Sequence, residues 1–173
     1  EAHYTIIEVR NLRQKIGGRS IGKFKDDVRI LYAPQLKSGR LNIYWGKDLL
    51  EHNAPEFMKE TTPDGDEIEW LHDFPDDFNI LGHRVKGSYG LLATKKDIPL
   101  AGITLLWRNR VIVGGNRTAW KPWKIFGKGA GDLKRQRVWA EVHLDFMTPN
   151  QQKKGFIWKE IREDDLIEAI SPY

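Results

Sequence analysis

No apolar run in this chain of 173 residues exceeds a few positions; Ile103–Trp107, with Thr104 inside it, is typical. A helix that crosses a bilayer needs about 20 mostly apolar residues in succession. No membrane span is therefore expected, and the core has to be assembled from many short amphipathic pieces. Only 40% of the residues are apolar, but seven Trp and seven Phe supply large buried area per side chain. A chain of this length with such rings is expected to fold as one domain, or as one domain plus a fragment of another. Cysteine is absent, which removes disulfides, a thiolate nucleophile and thiolate-held metal from consideration. The opening residues EAHYTIIEVR lack the basic-then-apolar order of a secretory signal, so a cytoplasmic location is expected.

The short pieces can be read in order. Thr5–Arg10 alternates and predicts a strand. Ser20 is a candidate helix cap, with Ile21, Phe24, Val28 and Leu31 at helical spacing and Pro34 as the stop. Leu41, Ile43 and Trp45 alternate again, and Gly46-Lys47 predicts a turn into residues 48–50. Residues 54–68 (APEFMKETTPDGDEI) are acidic and rich in turn formers, and predict a loop between two units. Beyond it, Glu69–Leu71, Arg84–Ala93, Gly102–Trp107 and Val111–Val113 predict strands. Arg108-Asn109-Arg110 is a hairpin reversal. Residues 114–135 read as irregular. Val138, Ala140, Val142 and Leu144 share one face of a further strand, and Trp158–Ile170 predicts a helix with Ile161, Leu166, Ala169 and Ile170 as its apolar stripe. Strands followed by helices, without regular βαβ alternation, predict an α+β fold.

Charge is distributed unevenly along these pieces. Residues 1–80 hold 11 basic and 15 acidic side chains, 81–140 hold 13 and 2, and 141–173 hold 4 and 7. A central net charge of +11 predicts an electropositive face. Trp107, Trp120, Trp123, Phe126 and Trp139 interleave there with cations. The candidate nucleic-acid contacts are Arg108, Arg110, Arg117, Lys121, Lys124, Lys134, Arg135 and Arg137, since rings among cations can stack bases while the charges hold phosphates. The alternative reading makes the rings core and the cations their exposed alternates.

Other chemistry finds little footing. His143 and Asp145 lie two apart on a strand, enough for two metal ligands but with no evident third, so no metal site is expected. Ser88 sits in GSYG and not in the G-x-S-x-G elbow of a hydrolase. Gly114-Gly115-Asn116 and GKGAGD at 127–132 do not match a phosphate-binding G-x-x-x-x-G-K-[ST] loop. The stretch PNQQKKGF at 149–156 places lysines on a loop after a strand, where a long stem and three donors can reach outward.

This last stretch, together with AGITLLWRNRVIVGG and WKPWKIFGKGAGDLKRQRVWAEVHLDF, resembles the second domain of GHKL-type ATPases, the superfamily of gyrase B, MutL, the heat-shock chaperone ATPase and MORC proteins. The likeness covers roughly residues 68–170 and rests on Asn109-Arg110-Val111-Ile112 and on Pro149, Lys153 and Phe156. TIIEVRNLR resembles the strand that ends the nucleotide-binding domain, although His3-Tyr4 stands where the family has glycine. The resemblance implies a transducer domain at 68–173 with a mixed sheet, a left-handed βαβ crossover and helices on one face. Residues 54–67 become a linker loop, and residues 1–53 the end of the ATPase domain with its connecting helix and strand. It implies that Lys153 contacts the γ-phosphate of ATP, with Lys154 as the fallback, and that nucleotide state is converted into domain movement or dimerisation. The family's E-x-x-x-N helix, D-x-G-x-G motif and glycine-rich lid do not occur in the chain and are expected before Glu1. The chain alone is then expected to bind no cofactor. ATP and Mg belong to the larger protein, an expected ATP hydrolase and homodimer. The implied partner is the nucleotide-binding domain of the same polypeptide, with DNA as a second candidate and no membrane.

Overall fold

The computed structural model describes residues 10, 11, 13, 17–93, 100–115, 119–129 and 131–173. The expected strand at Thr5–Arg10 and the candidate contact Arg117 therefore fall almost wholly or wholly outside the described residues.

The first unit is helical. Helix α1 spans Arg19–Leu31 and α2 spans Ala33–Lys37. Ser20 lies inside α1 and does not cap it; Gly18, at φ 51°, holds that position without a side-chain bond. Nor does Pro34 simply stop the helix. The ring removes an N–H and crowds the preceding turn, so the break falls at Tyr32 and Pro34 opens the next helix, where the missing donor costs nothing. Strands β1 (Tyr44–Trp45) and β2 (Asp48–Leu49) then pair across the expected Gly46-Lys47 turn.

The stretch expected as a linker at 54–67 is structured. Strands β3 (Lys59–Thr61) and β4 (Glu67–Glu69) form a hairpin, and Phe57, only 8% exposed, bridges to Leu92 of the following unit. Turn formers at 62–66 are the tip of that hairpin. Burial of Phe57 ties its base down, so the segment does not act as a free tether.

After it come β5 (Leu71–Asp73), β6 (Asn79–Ile80), β7 (His83–Arg84), β8 (Lys86–Leu91), β9 (Gly102–Trp107) and β10 (Arg110–Val113). Short helices α3 (Trp123–Phe126) and α4 (Leu133–Arg137) break the stretch that reads as irregular, and β11 (Val138–His143) and α5 (Glu163–Ile170) complete the chain. The main sheet has the order β10-β9-β11-β8-β5. Strands β9 and β11 are parallel neighbours and the other pairs are antiparallel. The fold is α+β with a mixed sheet, as expected. The connection from β9 to β11 runs through β10, α3 and α4, and α4 touches both strands that it joins.

Alternation along the strands decides the two faces. Ile103 and Leu105 of β9 and Ala140 and Val142 of β11 are at most 2% exposed and pack with Phe126, Phe156, Ile161, Leu166 and Ile170. Burying one such side chain contributes about 1.5–3 kcal/mol. The opposite face carries Trp139, Glu141 and His143, where Trp139 packs on Phe57, Leu92 and Ala101. The expectation of helices on one face holds for α3 and α5, which pack on the first face. The end of α2 approaches the second face, where the charge of Lys37 acts on Glu141. The glycines of GSYG are explained by this sheet: a Cβ at Gly87 would collide with the Glu141 carbonyl, and one at Gly90 with the Trp70 carbonyl.

Candidate functional site: the lysine loop and the basic stretch

Strand β11 runs out at its C-terminal end into the segment that holds the candidate lysines. The Leu144 N–H donates to the Leu106 carbonyl at 2.8 Å, so the pairing with β9 continues one residue past β11. Asp145 then folds back, its Oδ1 accepting from the Arg108 N–H at 2.6 Å. Arg108 and Asn109 are both left-handed (φ 49° and 59°), the geometry of a two-residue hairpin turn that matches strand twist. Asp145 is thus engaged by the β9–β10 turn and is not a free partner for His143. Burial pushes the His143 imidazole below its ordinary value, against the pull of Asp145. Among the described residues no three His, Asp or Glu side chains converge as metal ligands.

The lysine loop is closed by its own backbone. Pro149 and Phe156 form a bridge, the Asn150 N–H donates to the Gly155 carbonyl at 2.8 Å, and the Ile157 N–H donates to Thr148 at 2.9 Å. Across the tip, the Asn150 carbonyl accepts from the Lys153 N–H at 2.9 Å, and Asn150 Oδ1 accepts from the Lys154 N–H at 3.0 Å. Gln151 to Lys154 are all exposed. Phe156 is 6% exposed in the core and Trp158 packs beside it, their ring centroids 6.4 Å apart. One buried and one half-buried ring therefore root a loop whose tip is cationic. Lys153 adopts φ 52°, a region that costs an L-residue about 1–2 kcal/mol. The following helix starts at Glu163 and not near Trp158; Arg162 and Asp165 cap it reciprocally, and residues 158–162 form a bent, non-helical approach to it.

The basic stretch behaves differently from a stacking surface. Four of the eight candidate contacts spend their side chains on partners within the chain. Lys121 donates to the Arg135 carbonyl at 2.8 Å, and burial together with the Arg135 charge pushes its ammonium below the ordinary lysine value. Arg135 donates to the Gly127 carbonyl at 2.9 Å. Arg137 Nη1 donates to the carbonyls of Leu92 and Ala93, each at 2.8 Å, which fastens β11 to the end of β8. Lys124 pairs with Asp164 of α5 at 2.8 Å. Arg110 is half-buried, and its Nε has no hydrogen-bond partner among the described residues. Arg108 lies over the Trp107 ring, 4.7 Å from its centroid. Lys134 is exposed.

The rings are also mostly structural. Phe126 is fully buried, Trp107 and Trp120 pack against the core, and Trp139 packs on Phe57 at 5.1 Å. Of the five, Trp123 is the exposed one, 60% accessible with Lys128 5.1 Å over its face. The alternation of ring and cation in sequence is thus largely the alternation of inside and outside. Compared with known proteins, the chain matches no protein-family model and no curated protein.

Proposed function

We propose that this chain is the transducer part of a GHKL-type ATPase. It lends Lys153 to the γ-phosphate of ATP held by a nucleotide-binding domain of the same polypeptide, and it converts nucleotide state into movement of one domain against another. The observation that carries the reading is the lysine loop: Lys153 stands at the tip of an exposed, backbone-closed loop that leaves β11, the strand lying parallel beside β9. A lysine standing at φ 52°, where glycine or asparagine would be cheaper, supports a role for the side chain itself.

The chemistry suits one cation. In phosphoryl transfer the charge is spread over three phosphate oxygens, and an ammonium brought by a second domain stabilises that charge and also reports its presence. Donors for adenine and magnesium would come from the nucleotide-binding domain, because the chain lacks the family's Asn and Asp motifs. Cytoplasmic location and dimerisation belong to the same proposal. Among the described residues no helix is long and apolar enough to cross a membrane.

The test uses the polypeptide that carries both domains. Lys153→Ala is expected to cut ATP turnover sharply while sparing much of the ATP affinity, since a γ-phosphate contact counts most in the transition state. A large loss confined to Lys154→Ala would move the role by one residue. Normal turnover in both variants would refute it. The chain alone should keep its Tm in about 1 mM ATP, because a ligand that binds the folded state stabilises it.

A further inference from the structure

The β3–β4 hairpin that sequence reads as a linker carries an exposed apolar strip with an acidic border. Glu60 pairs with Ile68, and the Trp70 N–H donates to the Met58 carbonyl at 2.7 Å. That register places Met58, Glu60, Ile68 and Trp70 on one face, since side chains two apart along a strand point the same way. Met58, Ile68 and Trp70 are 38%, 50% and 39% exposed. The strip leads into a cavity of about 320 Å3 on the core face of the sheet, floored by Ile103 and Ala140 and walled by Trp70, Tyr89, Ile170 and Tyr173. Among the described residues no Lys, Arg, Asp or Glu lines the cavity, where His72 is the one ionisable imidazole, so it suits an uncharged side chain.

The surroundings are one-sided in charge. Residues 54–77 hold nine acidic side chains and one basic one. The single cation, Lys59, pairs with Glu67 at 3.0 Å; Asp76 is taken by Arg84, and Asp73 accepts from Ser88. Glu60, Asp64, Asp66 and Glu69 are exposed and make no ion pair among the described residues. Strand β5, beside the strip, is the last strand of the main sheet, so one side of it faces no described strand. Exposed apolar surface rimmed by polar groups marks an interaction site, and an open sheet edge accepts an extended segment.

We propose that this face binds an extended basic segment of another protein. Its Lys and Arg side chains would meet Glu60 on the strip and Asp64 and Asp66 at the hairpin tip, and one large uncharged side chain would enter the cavity. The acidic border selects the charge of the occupant. The apolar strip from Met58 to Trp70 continues outside the cavity, farther than a small molecule seated inside would cover, and this selects a polypeptide.

A fluorescein-labelled peptide of alternating Lys and Leu with one central Trp provides the probe, read by anisotropy. Controls are the same peptide with Glu for Lys, and an all-Lys peptide of equal charge. The Lys/Leu peptide is expected to bind at least roughly tenfold more tightly than either control. The double variant Glu60→Lys, Asp66→Lys and the single variant Ile68→Asp should each weaken it at least roughly tenfold. All three positions are exposed, and circular dichroism with a melting curve verifies that the variants fold. Equal binding of the Glu/Leu peptide would overturn the proposal in favour of a pocket for a neutral ligand. Equal binding of the all-Lys peptide would reduce it to an acidic surface, and no binding of any peptide would also refute it. Sedimentation showing self-association that Ile68→Asp abolishes would replace the partner by a second copy of the chain.

Discussion

Replacing Lys153 by glycine is expected to make the chain more stable while removing its proposed function. Lys153 sits at φ 52°, where the Cβ of an L-residue crowds the backbone at a cost of about 1–2 kcal/mol. Glycine escapes that cost but gives back about 0.4–1 kcal/mol through the greater freedom of its unfolded chain. The net gain is about 0.5–1 kcal/mol, or a rise in Tm of about 1–4 °C for a chain of this size. No contact is lost to offset it: the side chain is exposed, and the bond from the Lys153 N–H to the Asn150 carbonyl is made by backbone that glycine retains. Alanine provides the control. It keeps a Cβ and hence the strain, so Lys153→Ala should change stability by no more than about 0.5 kcal/mol. Urea and thermal unfolding of both variants beside the parent chain measure the difference. A glycine variant no more stable than the alanine variant would show that the loop does not hold residue 153 left-handed, and the strain argument for its side chain would fall with it.

Two further outcomes follow from half-buried polar groups. Burial pushes the Glu141 carboxyl above its ordinary value of 4.5, against the opposing pull of Lys37; the folded state then keeps this proton to higher pH than the unfolded state does, so the contribution of Glu141 to stability falls as pH rises from 4.5 through the raised folded value. Glu141→Gln should therefore match the parent chain in acid and exceed it at neutral pH, and urea unfolding across that range would contradict the assignment if the two profiles ran parallel. Arg137→Ala should cost about 1.5–3 kcal/mol, the worth of hydrogen bonds from a charged donor, because Leu92 and Ala93 lose their partner; a loss below about 0.5 kcal/mol would instead leave Arg137 free to meet a phosphate, and salt-dependent anisotropy with DNA would then be the measurement to make.

The sequence by itself determined the elements whose signal is local. Strand β9 at Gly102–Trp107, the reversal at Arg108-Asn109 and the shared face of Val138, Ala140, Val142 and Leu144 are all legible, because alternation and turn chemistry act within a few residues. The helix of 19–31 is legible for the same reason, and so are the loop of 149–156 and its roots at Phe156 and Trp158. Tertiary structure alone decided which strands become neighbours: the parallel pairing of β9 with β11 joins residues about forty positions apart, and no local pattern encodes it. It also decided the fate of the basic stretch. Whether Lys121, Arg135 and Arg137 face an anion or a backbone carbonyl depends on which carbonyls the fold leaves unpaired beside them, and composition carries no trace of that. The acidic segment 54–69 shows the same limit from the other side. Its turn formers predict a loop between units and instead form the tip of a hairpin, because strands of three residues each are too short to show an alternation in sequence. Burial of Phe57 beside Leu92 and Trp139 turned those few residues into a fixed face.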